Sequence, residues 1–169
     1  MDFDKYRDGY IKSNYEYPMT TSILVFTGAS GWHNSAWREG FYPPDLPEDW
    51  LLPFYNTQFD AVYLPEDAWI AVAPEVWDAW LNETREGFVF VLEAGRTARP
   101  APVSPRVILA DPAWLAGHVW WLDEAPDMRA LSGCISAHAA SGEPLFVFSR
   151  SGNLTLLEQA NTLKQVMGY

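Results

Sequence analysis

Six short apolar runs, rich in β-branched and aromatic residues, punctuate the sequence: SILVF, DAVYLP, FVFVLEA, RVILAD, HVWWLDE and PLFVFSR. Runs of this length between Gly, Pro and Asp residues predict buried strands. What lies between them decides the fold. LPEDWLLPFYNTQF sets Leu51, Leu52, Phe54, Tyr55 and Phe59 at positions suited to a short helix despite Pro53. PEVWDAWLNETREG opens on Pro74, carries a Val76, Trp77, Trp80 stripe and stops at Gly87. A third helix, APDMRALSGCISAHAASG, ends at Gly142, and a fourth, NLTLLEQANTLKQVMG, takes Asn153 as its N-cap. Strands followed by helices predict βα units and a mostly parallel sheet. Two intervals break that rhythm. GRTARPAPVSP, Gly95 to Pro105, is a Pro-rich extended connector, and PAWLAG is at most one turn.

The chain of 169 residues suffices for one sizeable core, with residues 20–169 expected as a single domain. Residues 1–19, polar and Tyr-rich, are expected as an arm that lies on the domain or on a neighbouring subunit. A formal charge of −11 disfavours nucleic acid, which is held by Lys and Arg on phosphates; a local basic patch would have to come from Arg96, Arg99 and Arg106. A basic protein partner or a metal cation suits the charge better. Nine Trp exceed what a core of this size needs and favour partner contacts. A single cysteine, Cys134, excludes an internal disulfide and a multi-thiolate zinc site. Neither a signal-type apolar segment nor a membrane-spanning run is visible, so the expected compartment is the cytoplasm.

The run TGASGWHNSAWREGFYPPDLP, Thr27 to Pro47, raises the question of a nucleophile at Ser30. A nucleophile elbow has its second Gly two residues after the Ser, but here Gly31 follows directly. A phosphate-binding P-loop would need a Lys that this run lacks. The run therefore shapes the fold: Gly28 and Gly31 allow unusual backbone angles, and Trp32, Trp37, Phe41 and Tyr42 pack the loop down. Cys134 and His138 share a helix face, but among small residues they predict packing rather than a reactive dyad. His33 and His118 form no metal-binding spacing.

The segment GASGWHNSAWREGFYP, Gly28 to Pro43, resembles the opening motif of the YecE-like family, domain-of-unknown-function family 72. The likeness continues through FYNTQFDAV, PEVWDAWLNETREGFVFVLEA, RVILADPAW, HVWWLDE and LFVFSR, covering most of residues 22–167. It implies a TIM-type (β/α) barrel. A typical barrel has roughly 250 residues, so the expectation is an incomplete or contracted one with about six mostly parallel strands. The connector Gly95–Pro105 stands where the family's fourth and fifth units would fall. Two sheet edges then remain to be covered by the arm, the connector or a second subunit.

The resemblance also implies polar residues at strand ends, and most are replaced. Tyr63 and Pro65 stand for the family's Glu and Asn, and Glu93 for its Lys. Asp123-Glu124 stand for His-Gly, and Ser149-Arg150 for Asn-Asn; Asp111 and the opening Gly-x-Ser-Gly-Trp remain. The leading expectation is a catalytically degenerate barrel acting as a binding or self-associating module, with a homo-oligomer or protein partner. Its candidate binding residues are Trp32, Arg38, Tyr63, Trp69, Trp121 and Arg150. The alternative is a metal-dependent hydrolase of phosphoesterase or endonuclease type. In a barrel, Glu66, Glu93, Asp111 and Asp123 would converge as a carboxylate ring for Mg²⁺ or Mn²⁺, with Glu93, Asp111 and Asp123 as catalytic candidates. Arg38, Arg96 or Arg150 would otherwise have to neutralise that ring.

Overall fold

The computed structural model describes residues 23–96 and 100–169; the arm expected over residues 1–19 lies outside them. Six strands form one parallel sheet: β1 (Val25–Ser30), β2 (Ala61–Leu64), β3 (Val89–Glu93), β4 (Val107–Ala110), β5 (Val119–Trp121) and β6 (Leu145–Ser149). Their order is β4-β3-β2-β1-β6-β5, and the sheet curls into half of a TIM-type barrel. Six helices accompany it: α1 (Leu51–Gln58), α2 (Glu66–Trp69), α3 (Pro74–Glu83), α4 (Pro112–His118), α5 (Met128–Ser141) and α6 (Leu154–Met167). A short 3-10 helix over Ser35–Glu39 and another over Glu48–Trp50 shape the loop after β1.

Strand alternation sorts the core into two layers. Val62 and Leu64 of β2, Phe90 and Leu92 of β3, and Leu145 and Val147 of β6 face an outer cluster, buried with Tyr55, Trp77, Leu131 and Leu157 of the covering helices. Ala61, Tyr63, Val91, Phe146 and Phe148 face the inner, concave side. Both faces are thus buried, as a parallel sheet requires. Tyr55 staples the outer layer: its hydroxyl accepts from the Ala29 N–H at 2.7 Å and donates to the Ala61 carbonyl at 2.8 Å, joining α1 to β1 and β2. Burial pushes the Tyr55 hydroxyl far above its ordinary pKa, so it stays protonated in that role.

The connector joins neighbouring strands of the sheet: β3 and β4 pair directly, from Phe90 with Val107 to Glu93 with Ala110. The open seam lies between β4 and β5, the two ends of the strand order. PAWLAG is more than the turn expected of it. It is helix α4, N-capped by Asp111, whose side chain accepts the Trp114 N–H at 2.7 Å, with Pro112 in its first turn. Rather than covering the outer face, α4 turns inward. Trp114 and Leu115 pack into the concave cluster, Trp114 lying 5.5 Å from the Phe146 ring. A half-barrel has an uncovered interior, and this seven-residue helix packs against part of it.

The run around Ser30 is part strand and part turn. Ser30 ends β1 opposite Tyr63, and Gly31 turns the chain with φ 70° while its N–H donates to the Tyr63 carbonyl. Gly28 has no unusual φ; it is small because a Cβ there would lie 1.9 Å from the Ala61 carbonyl oxygen. Trp32, Trp37 and Tyr42 are buried, and Tyr42 donates to the Trp32 carbonyl at 2.6 Å.

Candidate functional site

Parallel strands deliver their C-terminal ends to one mouth, and that is where a barrel carries its working residues. Here the ends of β2, β3, β5 and β6 bring Tyr63, Glu93, Trp121 and Arg150 to one hollow of about 390 Å³. Tyr63 sits in the middle of this set. Its ring is 3% exposed, and its hydroxyl donates to Glu93 Oε2 at 2.5 Å. Burial, then the hydrogen bond and charge of Glu93, push the Tyr63 pKa up to about 12, against a smaller lowering from Arg150. The phenol therefore stays a donor. Trp121 meets Tyr63 edge-on, with ring centroids 5.0 Å apart, and the Arg150 guanidinium lies 3.6 Å above the Trp121 ring. A cation stacked on indole is held in place by the ring's negative face.

Arg150 is further fixed through its backbone. Its N–H donates to Asp123 Oδ2 at 2.5 Å, while the Ser149 and Ser151 hydroxyls donate to Asp123 Oδ1. Ser149 Oγ also accepts the Asn153 N–H, and the Trp37 indole donates to the Gly152 carbonyl. Burial raises the Asp123 pKa, but these hydrogen bonds outweigh it and hold the carboxyl below its ordinary range. The remaining wall is apolar and comes from β4, α4 and β5, including Ala110, Leu115 and Val119.

The other candidates are dispersed. Asp111 caps α4, Asp123 holds the β6 loop, and Glu66 lies against Gly95 and accepts the Arg96 N–H at 3.3 Å. Among the described residues no three His, Cys, Asp or Glu side chains stand where they could hold one metal ion. The four carboxylates of the expected ring are instead each engaged by an N–H or O–H group close at hand. Trp69 is buried in the outer cluster, its indole donating to the Glu93 carbonyl at 3.0 Å. Trp32 lines a separate hollow of about 380 Å³ with His33 and Trp80. Arg38 pins the loop after β1 through the Leu46 carbonyl and Glu48.

Of the arginines that could form a basic patch, Arg106 donates to the Leu81, Thr84 and Arg85 carbonyls at the end of α3, and Arg99 lies outside the described residues. Cys134 is half-buried against the outer core, and burial raises its pKa. Among the described residues no helix is long and apolar enough to cross a membrane. Sequence reasoning missed the contribution of α4 to the mouth; Asp111-Pro112, a cap followed by a first-turn proline, was the signal for it.

Residues 26–99 match the family model described as "Protein of unknown function DUF72". The match runs from β1 through β3 into the connector. No curated protein and no solved structure matches the chain.

Proposed function

Because the chain is a member of the DUF72 family through residues 26–99, a family of unknown function, its role must be read from its own side chains, and we propose a non-catalytic binding module that recognises its ligand at the mouth. The observation that carries this reading is the mutual engagement of the mouth's polar groups around a hollow that stays open. Tyr63 is committed to Glu93, and Arg150 to Trp121. The lining holds no Ser, Cys, His or Lys, so it offers neither the usual nucleophile nor a histidine base. What remains suits recognition: a concave, mostly apolar wall with a few fixed polar groups.

The test is a fragment library screened by NMR on protein with labelled indole groups. Fragments that shift the Trp121 indole, and lose that effect in Trp121→Leu, support the reading. A library that leaves Trp121 unmoved overturns it. Mn²⁺-dependent phosphodiester hydrolysis abolished by Glu93→Gln would overturn its non-catalytic part.

A second reading, self-association through the sheet edge, is favoured by one observation. Leu109 of edge strand β4 is 49% exposed, with no helix among the described residues between β3 and β4 to cover it. Light scattering after size exclusion tests it: a dimer converted to monomer by Leu109→Lys supports this reading, and a wild-type monomer removes it.

A further inference from the structure

The mouth carries one carboxylate and one guanidinium on either side of Tyr63, with an apolar wall between them. Both residues line the hollow. Glu93 accepts the Tyr63 hydroxyl hydrogen bond on Oε2, which leaves Oε1 to accept from a ligand. Arg150 lies over Trp121, meets Glu124 through Nε at 3.5 Å and reaches the Tyr63 hydroxyl, so its guanidinium is held at the wall of the hollow. A guanidinium fork matches a carboxylate in shape and hydrogen-bond direction.

Charge narrows the choice of ligand. The chain carries a net −11, and a field of that sign works against an anion approaching Arg150 alone. A pure cation at Glu93 would feel the Arg150 guanidinium nearby, a charge only partly offset by the exposed Glu124 at 3.5 Å from its Nε. A ligand bearing both signs avoids both conflicts and has no net charge to be repelled. The hollow, about 390 Å³, lies near the small end of ligand sites, and the side chains of Ala110, Leu115 and Val119 offer an apolar surface to the rest of the molecule.

Resting on the mouth as the binding site, we infer that it takes a small zwitterion of the α-amino-acid class, its ammonium on Glu93 and its carboxylate on Arg150. An apolar side chain on the ligand then packs against the wall made by α4 and β5. The set is preorganised, since Tyr63 orients Glu93 and the Asp123 loop orients Arg150. Little rotamer freedom is left to lose on binding, which favours a small ligand with few contacts.

The experiment is a thermal-shift and calorimetric survey of the L-α-amino acids at millimolar concentration. It is followed by the matched amine and matched carboxylate of the tightest binder; for leucine these are isoamylamine and 4-methylpentanoate. The expected result is one or more amino acids that bind, with both single-charge counterparts weaker by about tenfold or more, the worth of a hydrogen bond to a charged group. Glu93→Gln, which keeps an oxygen for the Tyr63 hydroxyl, should weaken the zwitterion about tenfold and leave the carboxylate counterpart unchanged. Arg150→Gln should do the reverse, sparing the amine. That crossed pattern is not produced by a general loss of structure. No binding by any amino acid, or equal binding by a single-charge counterpart, overturns the inference. The two readings separate cleanly: fragments that shift Trp121 while amino acids do not would sink the zwitterion alone, and silence from both would sink the mouth as a site.

Discussion

Lys164 Nζ lies 2.5 Å from Asp60 Oδ2, joining the last helix to the residue before β2 at the foot of the sheet. The two side chains are 11% and 14% exposed, so this is a pair taken largely out of water. Asp60 also accepts from Arg85 and from Thr27, and Lys164 donates to the Val25 carbonyl. The network ties α6, β1 and the α3–β3 loop to one carboxylate.

Removing one partner of such a pair leaves a charge stranded, which is worse than never having had the pair. Lys164→Met is expected to lower unfolding stability by about 3 kcal/mol. Arg85, still in place, keeps the loss at the lower end of that range. Urea titration measures it. A change within experimental scatter would show that solvent already screens Asp60.

Trp114 is the contact by which α4 packs on the concave face. Trp114→Ala removes its contact with Phe146 and exposes part of the inner cluster. The expected cost is about 2 kcal/mol, below that of losing a fully buried large aromatic because Trp114 is half-buried. A hydrophobic dye should also bind the variant more strongly at neutral pH. Unchanged dye binding would mean that the concave face is sealed by something other than this helix.

Asp123 makes the acid limb of stability. Its carboxyl is held below the ordinary value of 3.8 in the folded chain by hydrogen bonds from Ser151, the Arg150 N–H and Ser149, which overcome the opposing effect of burial. A depressed folded value means that folding is favoured by the ionised form. The contribution is complete above the unfolded value and fades as pH falls through the folded one. Wild-type protein should therefore lose stability below about pH 4. Asp123→Asn should be less stable at neutral pH and show a shallower acid decline, read from melting temperatures across that range.

Gly28 has no room for a methyl group. The nearest atoms to a Cβ there are the Ala61 carbonyl oxygen and the Tyr55 hydroxyl, the two groups that join β1 to β2 through α1. Gly28→Ala is expected to abolish folding rather than weaken it, seen as loss of the cooperative thermal transition. A cooperative melt within a few degrees of wild type would refute the close approach.

Much of this architecture is legible in the residues. The runs DAVYL, FVFVLE, VILA and LFVFS become β2, β3, β4 and β6 because β-branched and aromatic residues suit a sheet buried on both faces. Asn153 and Pro74 mark helix starts through local chemistry that needs no tertiary knowledge. The first strand is harder to see. It runs Val25–Ser30, beyond the apolar SILVF, because Tyr55 and Ala61 crowd β1 and leave room only for small residues there. Small residues carry no periodicity to read.

The mouth was less visible still. Tyr63, Glu93, Trp121 and Arg150 lie far apart in sequence, and only the sheet order makes them neighbours. Asp111 and Asp123 look from sequence like members of one ring. Each is claimed instead by N–H or O–H groups close at hand, Trp114 for one and the Ser149–Ser151 loop for the other. Short-range donors win over convergence across a mouth, because they are satisfied without gathering repelling charges together.

The central position of β1 has a consequence for how the molecule is made. Its two neighbours are β2, which follows soon after, and β6, which pairs Leu145 with Val25 across a long stretch of sequence. During synthesis one side of β1 must wait, unpaired, until β6 has left the ribosome about 120 residues later. Only then do Phe146 and Phe148 arrive to pack with Trp114. Assembly is therefore late and concerted, and a nascent chain stalled before β6 presents a bare hydrophobic seam to chaperones and to its own neighbours.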